Sequence, residues 1–338
     1  SLAASLNPLA APWEITAGSA SLLLLVALVA SSAGRKKLGI PYDGWRVAHL
    51  VLAVGAVGLG LAHMGAIGFY SGLTPIRVLW AVIGASLLAV VLRVRLVRPW
   101  RLSRRPYRVA SVEPEPGDTW LLTLRPDGHP GFDFEPGQFC WVTLRHSPFA
   151  MKEHPFSIAS PPSEEEELQF AIKELGDFTG TIGEVEPGAT AFVDGPYGAF
   201  SIDRVADAPG YVFIAGGIGI APIASMLRAL AHRDDARSHM LITAHSHWDR
   251  IPLRDTVGEV AEALDLEVVH VLESPPPDWA GEEGWITREL LERHLPEGWL
   301  EMHYFICGPV PMTEAVTGFL DGIGVPDSRV HTELFDLV

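Results

Sequence analysis

Residues 213–227 read FIAGGIGIAPIASML, and how this stretch folds decides the architecture of the C-terminal half. An apolar run ends in glycine, Gly216, Gly217 and Gly219 carry no side chain, and Pro222 opens a helical pattern, so a strand, a glycine turn and a helix follow in succession. The glycines remove side chains that would block a nucleotide, and the N-terminus of the helix offers its amides to an anion. The spacing departs from the usual dinucleotide fingerprint, so the stretch takes its meaning from its surroundings.

Outward from it, GYVFIAGG is a buried strand, PIASMLRALAH a helix, HMLITAH a strand, VGEVAEALD a helix, LEVVHVL a strand, ITRELLERHL a helix and HYFICGP a strand. Such alternation specifies a Rossmann-like α/β sheet over residues 206–338. HMLITAH runs into HSHWDR, without the acidic residue that would favour a ribose 2′-hydroxyl. Only Arg250 or His247 is available there for a 2′-phosphate, so NADPH and NADH are both open. Upstream, YRVASV, TWLLTL, QFCWVTL and LQFAIKEL alternate between Pro/Gly/Asp turns and specify an antiparallel β-barrel over residues 106–205.

Residues 1–105 follow a different rule. The first 110 residues carry a net charge of +10 and the rest −26, which implies two solvents. Three apolar stretches, about 14–34, 46–69 and 74–97, are each long enough for a transmembrane helix. Arg35, Lys36 and Lys37, and the series Arg93, Arg95, Arg98, Arg101, Arg104 and Arg105, fall at alternate boundaries, as the positive-inside rule requires. Trp45, Tyr42 and Trp100 are expected at the inner interface and Trp13 and Tyr70 at the outer one. The expected protein is multi-domain: a helical transmembrane region in contact with membrane lipid, then a barrel, then an α/β domain. It would lie in the plasma (inner) membrane with everything after residue 105 in the cytoplasm. This topology puts residue 1 outside, the chain starts with Ser and shows no signal peptide, so an upstream part with further spans is expected.

HPFSIAS at 154–160, with KELGDFTG, DGPYG, GGIGIAP and CGP in that order, resembles the ferredoxin-reductase-type flavin and pyridine-nucleotide module. With a histidine-bearing membrane region before His-Pro-Phe-Ser, residues 13–338 are similar to the ferric reductase and NADPH oxidase superfamily, apparently lacking its first transmembrane helices. An isoalloxazine ring needs an apolar plane, a donor near N5, and cationic or backbone donors for its diphosphate. The resemblance implies FAD held by His154, Pro155, Phe156, Ser157, Lys173, Gly176 and Thr179, with Phe156 on the ring, Ser157 at N5, and His154 at the ribityl or phosphate part. Gly176 permits close backbone approach, and Thr179, opening a helix at TGTIGEV, offers a hydroxyl and helix amides to the pyrophosphate, or simply caps that helix.

NAD(P)H is implied at Gly216, Gly217, Gly219, Pro222, Cys307 and Gly308, with Gly195 to Gly198 as a loop that lets the nicotinamide reach the flavin, or a bare turn. By the same resemblance Cys307 lies beside the nicotinamide; a buried structural cysteine is the alternative. The ending TELFDLV resembles the family's acidic-plus-aromatic ending, which implies catalytic roles for Glu333 and for Phe335, the latter covering the other flavin face, beside Ser157 and Cys307.

His49 and His63, within WRVAHLVLAVGAVGLGLAHMGAIG at 45–68, would stand about 21 Å apart along one helix and about 40° apart around it. Ionisable groups at that depth are functional candidates; bundle histidines are the alternative. The resemblance adds that each holds one of two b-type haems, whose partner histidines this chain lacks, because all its other histidines follow residue 105. The function expected is electron transfer from cytoplasmic NAD(P)H through FAD and haem b to an outer acceptor, a ferric chelate first and dioxygen, giving superoxide, second. A membrane-anchored NAD(P)H:flavin reductase feeding a partner protein is the alternative. Two cysteines, Cys140 and Cys307, cannot build a four-thiolate iron–sulfur site, and no nucleic-acid partner is expected.

Overall fold

The computed structural model describes residues 11–68, 72–163 and 167–334; Tyr70 and Phe335 lie outside them. Two compact units result: one runs to Ser103 and takes in His146–Lys152, and the other comprises Arg104–Arg145 and Glu153–Val338.

The first unit is helical: α1 (Trp13–Leu38), α2 (Tyr42–Ile67) and α3 (Thr74–Leu92), which passes through a π-helical turn, Arg93–Val97, into α4 (Arg98–Ser103). All three long helices have the length and apolarity to cross a membrane. Among their described residues only Ala17, Ala56 and Pro99 are buried, while Leu22, Leu23, Val51 and Leu88 are exposed. Small residues bring α1 and α2 together. Ser21 Oγ donates to the Ala56 carbonyl at 2.7 Å, and a Cβ on Gly60 would stand 3.1 Å from Ser21 Oγ and one on Gly55 3.0 Å from Leu24, the close approach that packs helices without a polar core. Near residue 97 the apolar pattern stops and the helix does not, because its backbone bonds are internal and indifferent to Arg98 and Arg101. In the same unit Arg46 Nη1 donates to the Met151 carbonyl at 3.1 Å.

The second unit holds two six-stranded sheets. Strands β1 (Tyr107–Glu115), β2 (Thr119–Pro126), β3 (Phe139–Leu144), β4 (His154–Ser157), β5 (Leu168–Lys173) and β6 (Thr190–Tyr197) form an antiparallel sheet in the order β4-β3-β6-β1-β2-β5. Beyond β4 the Ala159 N–H donates to the Gln169 carbonyl of β5 at 2.7 Å, linking the two ends of the sheet into a barrel around Leu122, Leu124, Val142, Phe170 and Ile172. The stretch expected as a DGPYG loop belongs to β6, because Tyr197 and Asp194 pair with Phe139 and Trp141 of β3.

The other sheet is parallel throughout: β7 (Tyr211–Gly216), β8 (His239–His245), β9 (Leu266–Leu272), β10 (Glu282–Glu283), β11 (His303–Gly308) and β12 (Val330–Leu334), in the order β10-β9-β8-β7-β11-β12. Its crossovers carry α5 (Ile220–His232), α6 (Arg254–Ala263), α7 (Arg288–His294) and α8 (Val310–Ile323). Successive residues alternate between faces. Phe213, Leu241 and Phe305 pack with Leu227 and Leu230 on one side, and Ile214, Ile242 and Ile306 with Leu290, Val316 and Leu320 on the other. Two bonds tie α5 to the barrel: Ser225 Oγ donates to the Ser160 carbonyl, a buried bond, and Arg228 Nη1 to Gln169 Oε1, both at 2.7 Å. Strand order reverses between β7 and β11, which opens a crevice outside their carboxyl ends.

Candidate functional site

At that switch point β7 ends in Gly216 and β11 in Cys307 and Gly308. A Cβ on Gly219 would strike the Cys307 carbonyl oxygen, and one on Gly216 would stand 2.6 Å from Met312 Sδ and 2.9 Å from Pro309 Cδ. Gly308 is equally hemmed, with Met312 Cε 2.5 Å from its Cβ position. Gly216 and Gly219 thus have a packing reason of their own, close passage of the strand ends, beside the nucleotide role expected of them. Gly217, at φ +55, faces open space, and Pro222 lies buried in the first turn of α5.

Beside the glycine turn is a crevice of about 60 Å³. Pro155, Phe156 and Ser157 of β4, Ala171 to Lys173 of β5, Leu175 and Thr179 line it, together with Ile218 and Ala221 of the glycine turn and α5. The structure thus brings the residues expected at a flavin next to the turn expected at a nucleotide. Ser157 is only 5% exposed, and its Oγ has no hydrogen-bond partner among the described residues. A buried hydroxyl left unpaired costs about 1–3 kcal/mol, and such groups call for a functional explanation. An unpaired donor, an apolar plane and the Lys173 cation in one crevice fit what an isoalloxazine requires.

His154 stacks on Phe178, with ring centroids 3.8 Å apart and planes at 14°. Phe178 in turn lies 6.2 Å from Phe156 at 21°. Sequence reasoning missed Phe178, although an aromatic side chain between Gly176 and Gly180 was a usable signal; it missed Ile218 and Leu175 as well.

Thr179 is the first residue of the helix expected at TGTIGEV, and that helix, Thr179–Glu184, is 3₁₀ rather than α, in keeping with Gly180 and Gly183, which weaken helix propagation. The Thr179 hydroxyl accepts from the amides of Leu175 at 2.8 Å and Gly176 at 3.0 Å, so it closes its own loop. Gly176 has open space at its Cβ position, whereas a Cβ on Gly195 would lie 2.5 Å from Cys140 Sγ, so Gly195 serves barrel packing. Cys307 is fully buried, and burial, followed by the Glu333 charge, pushes its thiol well above the usual range. It remains protonated and is no nucleophile. Glu333 pairs in register with Cys307, and burial raises its carboxyl. His245, at the end of β8, was not foreseen: burial first, then the charges of His270 and Lys173, lower its pKa to about 4.

In the helical unit His63 Nδ1 lies 2.6 Å from the Glu14 carbonyl, in a notch where a Cβ on Gly18 would come within 2.6 Å of the ring. His49 Nδ1 lies 3.3 Å from Ser32 Oγ, whose own proton goes to the Leu28 carbonyl at 2.7 Å. Both contacts engage the ring at Nδ1. Among the described residues no group of three or more His, Cys, Asp or Glu side chains is placed to hold a metal ion.

A family model described as FAD-binding domain matches residues 105–201, and one described as oxidoreductase NAD-binding domain matches residues 213–318. The reductase component of propane 2-monooxygenase from Mycolicibacterium goodii is 32% identical over 67% of this chain, which spans 66% of that protein's length. Ferredoxin–NADP reductase B from Sorangium cellulosum is 31% identical over 67% of this chain and is covered over its whole length. The flavohem-like FAD/NAD-binding domain of nitric oxide dioxygenase from Vibrio cholerae superposes with a TM-score of 0.60 at 19% identity, covering 68% of this chain and 98% of that one, which shows a shared fold. With an FAD-binding barrel followed by a parallel NAD-binding sheet, and with a relative of this identity matched from end to end, the chain belongs to the ferredoxin–NADP reductase family of FAD- and NAD(P)H-dependent oxidoreductases.

Proposed function

We propose that this chain is the NAD(P)H-oxidising, FAD-dependent part of a membrane electron-transfer protein and delivers electrons to a redox partner protein. The Ser157 hydroxyl, without a partner among the described residues and in a crevice shared by the flavin motif and the glycine turn, carries the reading. When bound, FAD supplies exchange between a two-electron hydride donor and one-electron acceptors. The chain's own residues supply the setting: Phe156, with the Phe178–His154 stack, provides the flat apolar wall, Ser157 a hydrogen-bond donor, and Lys173 a cation. Gly217 leaves one side of the turn open, and the protonated Cys307 thiol packs without attacking.

Delivery to a protein is supported by relatives that are reductase components and a ferredoxin–NADP reductase. Placement in the plasma membrane, with the reductase unit in the cytoplasm, rests on the three apolar helices and the basic residues at alternate ends of them.

A second reading sends electrons through b-type haems to an outer acceptor, a ferric chelate or dioxygen. It is favoured by His49 and His63, each engaged at Nδ1, so that Nε2 would be the ligand atom. They fit one side of two bis-histidine sites only, so no step is assigned there. The test is the absorbance of the detergent-solubilised protein and its oxidation of NADH and NADPH with cytochrome c or ferric citrate as acceptor. A flavin spectrum with nucleotide oxidation is expected. A preparation that neither binds FAD nor oxidises either nucleotide after FAD is added overturns the proposal, and preference for cytochrome c over ferric citrate separates the two readings.

A further inference from the structure

The loop after β8 lies at the carboxyl edge of the sheet, where a side chain faces the ribose 2′ position of a bound dinucleotide. In this chain that loop is clamped to the β1–β2 turn. Arg250 Nη2 forms an ion pair with the Asp118 carboxylate. A Cβ on Gly117 would strike the Arg250 carbonyl oxygen, so the two backbones meet as closely as glycine alone allows. Leu253 N–H donates to Glu115 Oε2 at 3.1 Å. The Asp118 carbonyl accepts from Glu174 N–H at 2.8 Å, one residue beyond Lys173 in the crevice wall. Arg254, the loop's other arginine, lies over the Trp248 ring at 5.0 Å, donates to the Trp248 carbonyl at 3.3 Å and faces Asp255 at 3.5 Å. Both arginines are bound to acceptors of the protein itself.

We infer that Asp118 is a specificity-determining residue: by occupying Arg250 it disfavours a 2′-phosphate and makes NADH the preferred donor over NADPH. This rests on the nucleotide oxidation proposed above. The pair is about half exposed, and such pairs are individually weak, so the 2′-phosphate is disfavoured by two effects together. A guanidinium must leave its carboxylate, and that carboxylate then stands beside a phosphate dianion. The neutral 2′-hydroxyl of NADH meets neither penalty.

Asp118 has φ +55, a conformation that Asn tolerates, so Asp118→Asn removes the charge and keeps the turn. The experiment compares kcat/KM for NADH and NADPH on detergent-solubilised protein with ferricyanide as acceptor. Calorimetric affinities for 2′,5′-ADP and 5′-AMP add a readout that needs no turnover. Wild type is expected to favour NADH. In Asp118→Asn the NADPH-to-NADH ratio should rise about tenfold, with 2′,5′-ADP tightening against 5′-AMP to match, and the gain should vanish in Asp118→Asn/Arg250→Ala. Unchanged ratios in both assays, a gain that survives loss of Arg250, or a wild type that prefers NADPH would overturn the inference. Failure to oxidise either nucleotide would instead remove the proposed function, while the two analogues still report on Asp118.

Discussion

The two units use the same apolar residues in opposite ways. Leu22, Leu23 and Leu88 of the helical unit are 61%, 68% and 59% exposed, whereas Leu122, Leu124, Phe213 and Phe305 of the reductase unit are wholly buried. The difference teaches that the surroundings decide what an apolar side chain does: a helix that is apolar all round needs an apolar medium or further protein around it. Here the largest effect is expected. The expressed chain should sediment with membranes, stay there through alkaline carbonate, and leave only with detergent. Recovery in the supernatant without detergent would mean that protein covers those side chains, and the contrast between the units would fail.

Glycine sharpens the same contrast. Gly219 faces backbone, the Cys307 carbonyl, whereas Gly18 faces the movable His63 ring. Gly219→Ala should therefore cost roughly 3 kcal/mol, because strand ends cannot shift. Gly18→Ala should cost below about 1 kcal/mol and push His63 off the Glu14 carbonyl. Thermal unfolding of both variants checks this, and equal losses would show that the helix pair is as rigid as the sheet.

Much of this architecture can be read locally. The alternation from GYVFIAGG to HYFICGP gives the parallel sheet because each strand and each helix announces itself within a few residues. What escaped reading depends on distant partners. Nothing near Gly216 or Gly219 says that Met312 or Cys307 presses on it, nothing near Arg250 points to Asp118, and DGPYG looks like a loop until Phe139 pairs with Tyr197. Thr179 was legible as a helix start, and it opens a 3₁₀ helix; that its hydroxyl accepts from the amides of Leu175 and Gly176 no local pattern announces. In the crevice HPFS was legible, whereas Phe178 was missed because no spacing rule links it to His154.

A pH dependence should mark the reductase unit. His245 takes up a proton near its ordinary value of 6.5 when unfolded and only near 4 when folded. Between those values the unfolded chain binds more protons, so stability falls as pH drops from about 7 to about 4, by about 3 kcal/mol from this residue. Urea unfolding of wild type and His245→Gln at pH 7, 5.5 and 4.5 measures it. The variant should lose less on acidification, and parallel curves would reassign the effect to other groups.

The smallest effect separates the units by what they do with a hydroxyl. In the helical unit Ser21 donates to the Ala56 carbonyl and Ser32 to the Leu28 carbonyl, internal satisfaction of the kind that an apolar medium demands. In the reductase unit Ser157 is buried, and its hydroxyl has no partner among the described residues. Ser21→Ala removes a made bond and should loosen the helix pair by about 0.6 kcal/mol. Ser157→Ala removes none and deletes an unsatisfied group, so the melting temperature of the FAD-free protein should stay level or rise. Its FAD affinity or its rate of flavin reduction by NADH should fall about tenfold, the weight of one hydrogen bond made only with the ligand present. Stopped-flow absorbance and a melting curve on the same preparation read both quantities. A lower melting temperature with unchanged flavin reduction would make Ser157 a structural residue of the barrel and leave the crevice without the donor on which its assignment rests.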